Sequence, residues 1–282
     1  MPENIIPIDQ LLDQVGNLPP VPRVVEKALQ IIQDPNSNMK DLANVIKLDQ
    51  AMTSLILRWV NSGYYSLRNN LVTIEQAVTY LGQRTVQNLV LSASVASFMN
   101  RPTPGYGMAS GDLWKRSVGM AAGARLIMKE ISPDKAEDAY YAGLFCDIGK
   151  LVFDVLIQKS PTKPLSEETP FDEMETNIFG YDHAVVGAAI VRRWNLPSHL
   201  ASVVEHHHNP SEVDDSIKTL AYSVHAADAV MMMFGVGMGI DALQYKMDPK
   251  TIEILKWDDN SLENFYNRVI PLLDEADSFL KQ

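Results

Sequence analysis

All six histidines of this sequence lie between His183 and His225, and three of them, His206, His207 and His208, are consecutive. The carboxylates able to join them are Asp147, Asp182, Glu205 and Asp228. Histidine and carboxylate side chains on facing helices are the means by which a helical bundle builds a metal centre. Neutral imidazole with carboxylate suits Zn, Fe or Mn, and a metal so held turns bound water into a nucleophile. Neighbouring residues on a helix point in different directions, so at most one or two of the three consecutive histidines face one site, and which of them does so is open. His225 and Asp228 stand three residues apart on one helix face, consistent with either a chelating pair or a hydrogen-bonded core pair.

Other groups carry a chemical and a structural reading side by side. Asp147 and Lys150 could form a catalytic pair, or an i,i+3 surface ion pair able to hold an anion. A Cys146 thiolate would be a good zinc ligand, but between Phe145 and Asp147, with Leu144 and Ile148 close by, the residue reads as an inert buried hydrophobe. Met231, Met232 and Met233 read as core packing, Arg192 and Arg193 as a solvated face, and Trp194 as a packing anchor. Ser117 has no His-Asp partner in the sequence that would make it a nucleophile.

The elements that position these groups are helices. Apolar residues recur at helical spacing, and strand-like alternation is almost absent. Val24, Val25, Ala28, Leu29, Ile31 and Ile32 form a stripe after Pro22, followed by Leu42, Val45 and Ile46 and then by residues 51–60. Thr73 with Gln76 predicts a capping box opening a short helix that Gly82 closes. Further helices are predicted at about 85–98, 111–131, from the Ser132-Pro133 cap to Ile157, and at 181–194, 197–207, 215–234 and 261–280. Residues 159–176, polar and proline-containing, read as a surface loop. Two prolines and two glycines between Asn100 and Gly107 interrupt any helix. The expected organisation is an N-terminal helical subdomain over 1–105, a helical core over 106–240 and a docked C-terminal helical extension over 241–282.

The chain has 282 residues, a net charge of −11 and one cysteine. One cysteine excludes an intrachain disulfide and fits a reducing cytoplasm. The N-terminal residues do not read as a signal peptide, and no apolar run reaches the ~18–20 residues that span a bilayer. The acidic balance without a basic cluster disfavours nucleic acid and anionic membranes as partners.

The segment Gly143-Leu144-Phe145-Cys146-Asp147-Ile148-Gly149-Lys150 resembles the signature helix of the HD superfamily of metal-dependent phosphohydrolases, in which a His-Asp pair precedes Ile-Gly-Lys. More narrowly, the chain resembles the HDOD family, regulatory relatives of those enzymes. The resemblance rests on Leu18-Pro19-Pro20-Val21-Pro22, on Leu55 to Ser62, on Ile74 to Gly82, on Gly180-Tyr181-Asp182-His183-Ala184 with Gly187, on Trp194 to Pro197 and on His206 to Pro210. It runs from about residue 15 to 235 and implies an all-α, multi-helix HD-like domain.

The resemblance also implies a metal set. Its first histidine falls at or beside Arg116 and Ser117, the histidine of the pair at Cys146, and the paired aspartate at Asp147. His183 and one of His206 or His207 match additional histidines of two-metal relatives, and Asp228 matches the last aspartate. Two of these primary positions depart from the pattern. An arginine offers no lone pair to a metal and can hold a carboxylate through two hydrogen bonds, so an Arg116–Asp147 ion pair is expected where the metal sat.

The reading that follows is a bacterial, stand-alone signal-transduction domain with a degenerate metal site and no cofactor. It would act through a regulatory protein partner or a small phosphorylated ligand, the latter taken by Arg116, Lys150 and His183, with the crevice between subdomains as the expected ligand position. The alternative is a phosphohydrolase acting on a nucleotide or cyclic nucleotide. It would keep one Zn, Fe or Mn ion on Asp147, His183, His206, His207 and Asp228, with Cys146 as a further ligand and Asp147 and Lys150 as catalytic candidates.

Overall fold

A computed structural model describes residues 5–15, 27, 30–31, 37–61, 70–159, 170–239, 247–258 and 260–280. The Leu18 to Pro22 motif, most of the stripe after it, and Ser62 lie outside these residues. The described residues are helical, as expected, and contain no strand; an isolated bridge joins Thr103 to Met108.

The chain divides into two units, one of residues 1–18 and 99–273 and the other of residues 19–98 and 274–282. Helix α1 (Ile8–Val15) belongs to the first. The second contains α2 (Met39–Ile46), α3 (Gln50–Val60), α4 (Ile74–Leu81) and α5 (Gln83–Met99) up to Phe98. The starts of α2, α3 and α4 are capped by the side chains of Asn38, Asp49 and Thr73. The Thr73 hydroxyl accepts from the Gln76 N–H while the Gln76 side chain accepts from the Thr73 N–H, and Gly82 closes α4 at φ 81°. The Asn61 amide both donates to the Leu71 carbonyl and accepts from the Leu71 N–H, each at 2.7 Å. Thr73→Ala removes one half of the box and is expected to cost about 1 kcal/mol, measurable as a lower urea midpoint at unchanged m-value.

The first unit carries the chemistry. It contains α6 (Asp112–Ile131), α7 (Ala136–Phe145), α8 (Lys150–Lys159), α9 (Phe171–Phe179), α10 (His183–Arg193), α11 (Ser198–Glu205), α12 (Lys218–Met233), α13 (Lys250–Leu255) and α14 (Ser261–Leu280), the last as far as Leu273. Helix α6 packs along α7 and α12, and α10 packs on α11. The seams are close because glycines line them. A Cβ on Gly143 of α7 would lie 2.8 Å from the Ala121 nitrogen, and one on Gly123 would strike the Phe265 ring.

Two expectations are corrected. The helix predicted from Ser132-Pro133 to Ile157 is two helices, α7 and α8, separated by Cys146 to Gly149. The turn is carried by i→i+3 bonds, Ile148 N to Phe145 O and Lys150 N to Asp147 O, and it places Asp147 between helices rather than on one. Second, the loop predicted over 159–176 gives way at Pro170 to α9, with Phe171, Met174 and Glu175 buried; residues 160–169 lie outside the described ones. Pro170 at the helix start, acidic Asp172 and Glu173 in the first turn, and Gly180 at φ 85° after the end are ordinary helix boundaries.

Candidate functional site

Arg116 lies in the second turn of α6, and its side chain, like those of Asp147 and Asp228, is 0% exposed. Its guanidinium bridges two carboxylates: Nε donates to Asp147 Oδ2 at 2.6 Å and an Nη atom donates to Asp228 Oδ1 at 2.6 Å. The expected Arg116–Asp147 pair is therefore present, and it extends to α12. Lys150 Nζ lies 2.9 Å from Asp147 Oδ1. Both members of that pair are buried, so it is not a surface ion pair. Burial alone would raise the Asp147 pKa, but Lys150 and Arg116 outweigh it and hold the carboxyl well below its ordinary range.

The histidines assemble on the other side of Asp147. Asp182 caps α10 by accepting from the Val185 N–H, so it is a capping residue and not a ligand. His183, the first residue of α10, has Nε2 3.5 Å from Asp147 Oδ1. Glu175 takes the other edge of His183: Oε2 lies 2.8 Å from Nδ1 and accepts from the His183 N–H at 2.7 Å. Tyr106 donates its hydroxyl to the other Glu175 oxygen. Burial pushes the His183 pKa down, but the Glu175 carboxylate pushes it up by more.

Beyond α11 the three consecutive histidines diverge. His206 turns out to Glu212, 3.3 Å away, on the solvated side. His207 is buried, with Nδ1 2.7 Å from the Val204 carbonyl, and burial lowers its pKa to about 4. His208 Nε2 lies 2.9 Å from His183 Nε2, and burial with the neighbouring His207 holds its pKa well below the ordinary imidazole value.

The remaining candidates fall outside this cluster. His225 accepts from the Asp248 N–H at Nε2 and donates from Nδ1 to the His207 carbonyl, so both its nitrogens serve the backbone and it does not chelate with Asp228. The Cys146 thiol points to the Ala142 carbonyl 3.0 Å away; burial and the adjacent Asp147 raise its pKa well above that of a free thiol, so it stays a protonated, poor ligand. Glu205 pairs with Arg192 at the surface.

Glu175 and His208 are the functional-site residues missed from sequence. The signal for Glu175 was the spacing of Phe171, Met174 and Ile178, which marks a buried helix face beside it. For His208 no signal separated it from His206 before the end of α11 was known.

These residues divide into two compartments. Around Arg116 the donors do not fit a metal, because a permanent cation already takes an oxygen of each carboxylate. The neighbouring set of His183, His207 and His208 fits one, since a ligand atom from each lies within 4.8 Å of the others.

The family model for the HDOD domain matches residues 18–210, more than half of the chain. The chain is 25% identical over 224 residues to an uncharacterized protein of Treponema pallidum (strain Nichols), a match covering 76% of this chain and 42% of that protein, so the chain spans less than half the length of this relative. An HDOD domain protein of unknown function from Geobacter sulfurreducens superposes with a TM-score of 0.76 at 21% identity over 96% of each chain. A Marinobacter aquaeolei VT8 protein, provisionally named a signal transduction protein, gives 0.74 at 18% identity over 96% of this chain and 61% of that one. A Shewanella amazonensis SB2B protein, provisionally named a phosphohydrolase, gives 0.62 at 19% identity over 96% of this chain and 93% of that one. At these identities the structural likeness is one of fold. Among the described residues no helix is long and apolar enough to cross a membrane.

Proposed function

Since the chain belongs to the HDOD domain family, we propose that it is a regulatory domain that signals by binding a protein or a small ligand and does not hydrolyse phosphoesters. The observation that carries this reading is the buried guanidinium of Arg116 held 2.6 Å from both Asp147 and Asp228. Metal-assisted hydrolysis needs those carboxylates on a cation that can bind and deprotonate water. A guanidinium cannot do so, because it has no open coordination position and gives up no proton near neutrality. Fold alone does not settle activity, and similar folds here carry both signalling and phosphohydrolase names. The site geometry is what favours the regulatory reading. The single buried thiol and the acidic charge balance support a cytoplasmic setting, with neither nucleic acid nor membrane as partner.

The test is hydrolysis of bis-p-nitrophenyl phosphate and of cyclic dinucleotides, with Mn²⁺, Zn²⁺ or Fe²⁺ added, by the wild type and by Asp147→Asn. The expected result is the same background rate for both. Turnover by the wild type that Asp147→Asn abolishes, with both proteins folded, would refute the proposal.

A further inference from the structure

We infer that the groove between the end of α6, the end of α13 and the start of α14 binds a small aromatic anion, a planar ring carrying a carboxylate or a phosphate. The groove has a volume of about 600 Å³, inside the ~300–1,000 Å³ range of small-molecule sites. It lies within the first unit and shares no residue with the Arg116 or histidine clusters. Two of its three walls, α13 and α14, follow the residues that the HDOD model matches.

The walls divide the ligand's chemistry between them. Ile127, Leu255 and Phe265 are buried and make an apolar floor. Trp257 is half-buried beside it, its ring centroid 5.9 Å from that of Phe265, so a planar ligand has an indole to pack on. On α14, Asn264, Asn267 and Arg268 stand three and four residues apart, share one face and line the rim. The side-chain amides of Asn264 and Asn267 hydrogen-bond to no described residue, which leaves both for the polar edge of a ring.

Two observations give the ligand its charge. Lys256 ends α13 at φ 55°, in a turn closed by the Trp257 N–H on the Ile252 carbonyl and the Lys256 N–H on the Glu253 carbonyl. Glycine is usual at that point of such a turn, because a Cβ there is strained. The turn nevertheless carries a lysine that lines the groove, and side chains held on strained backbone cluster at ligand sites. The second observation is the local charge. Arg125 pairs with Glu137 and Arg268 with Glu130, while Lys129 and Lys256 have no ion-pair partner among the described residues. Partial burial and Arg125 lower the Lys129 pKa, and Arg268 adds to the effect. Asp258, next to the groove, is engaged in accepting from the Ser261 hydroxyl and the Asn260 N–H. Positive charge therefore gathers here in a chain whose net charge is −11.

The inference rests on the regulatory reading for its purpose alone. Hydrolysis dependent on Asp147 would refute that reading and leave a binding result standing, and absence of binding would do the reverse. The full chain is titrated calorimetrically with AMP and with 2-naphthoate, and with their neutral counterparts adenosine and 2-naphthamide. The expected result is one equivalent of at least one anion, with its neutral counterpart bound ~10-fold more weakly. Binding of AMP alone assigns a nucleotide, of 2-naphthoate alone an aryl acid, and of both a site that reads ring and charge. Trp257→Ala should weaken binding by ~10-fold through the lost stacking. Lys256→Gly relieves the strained turn, so it should leave the Tm unchanged or higher while weakening the anion by ~10-fold. This variant tests the groove even if Trp257→Ala does not fold. Absence of binding of both anions by the folded wild type overturns the proposal, as does a neutral counterpart bound as tightly as its anion or undiminished affinity in folded Lys256→Gly.

Discussion

Arg116→Met should lower the unfolding free energy by about 3–5 kcal/mol, the cost of leaving buried charges without their partner. The change removes the side chain that donates to both Asp147 and Asp228, and it leaves Asp147 with Lys150 and His183 and Asp228 without its 2.6 Å donor. Methionine fills much of the vacated volume, so the loss measures charge rather than a cavity. Two further results separate this account from simple packing damage. The triple variant Arg116→Met, Asp147→Asn, Asp228→Asn should be more stable than the single one, because it removes the charges along with their partner. The pH dependence should also change sign. In the wild type the Asp147 pKa is depressed, so its contribution is present above the unfolded carboxyl value of about 3.9 and is lost as pH falls below it. In Arg116→Met a buried carboxylate charge is left without its cation, so the deficit is largest at neutral pH and shrinks toward about pH 4, where carboxylates begin to take up protons. Chemical denaturation of the variants at pH 7 and pH 4 checks both. An Arg116→Met protein as stable as the wild type at pH 7 would show that the bridge contributes nothing.

How far the site could be read in advance depended on whether a residue's role is local or tertiary. Thr73, Gln76 and Gly82 act within one turn of helix, and their capping geometry was legible from spacing alone. The Arg116–Asp147 pair was legible because an arginine and a cysteine stand where the resemblance implies histidines, and a buried carboxylate must find some cation. The partner on α12 followed from the same resemblance, but its bond to Arg116 was visible only in three dimensions. The break at Cys146 to Gly149 was not legible, since Leu144, Phe145, Ile148 and Val152 keep an apolar helical pattern straight through it. The turn at that break lies against α10, with Gly149 packed on the His183 carbonyl, a contact that spacing along the chain does not reveal. Glu175 was hidden for the opposite reason: an acidic residue after a polar, proline-containing stretch looks solvated until Tyr106 and His183 are placed on its two oxygens.

Gly149→Ala sets local propensity against packing at that break. By propensity alanine should win, since glycine costs a helix about 1 kcal/mol relative to alanine, and Gly149 is not among the residues with positive φ. Packing says otherwise. A Cβ at Gly149 would lie 2.0 Å from the His183 carbonyl oxygen and 2.9 Å from the Gly187 nitrogen. Both are backbone atoms of α10, so no rotamer change relieves the overlap and the α8 start must move away. Overpacking of this kind costs about 3 kcal/mol or more when the obstacle cannot yield, so the variant should be clearly destabilised. Gly82→Ala is the contrasting case. It meets nothing within 4 Å and bears only the strain of φ 81°, expected to cost about 1–2 kcal/mol. Chemical denaturation at pH 7 checks both, with Gly149→Ala expected to show the clearly lower urea midpoint. A Gly149→Ala protein with unchanged stability would mean that α8 and α10 do not meet as closely as Gly149 allows.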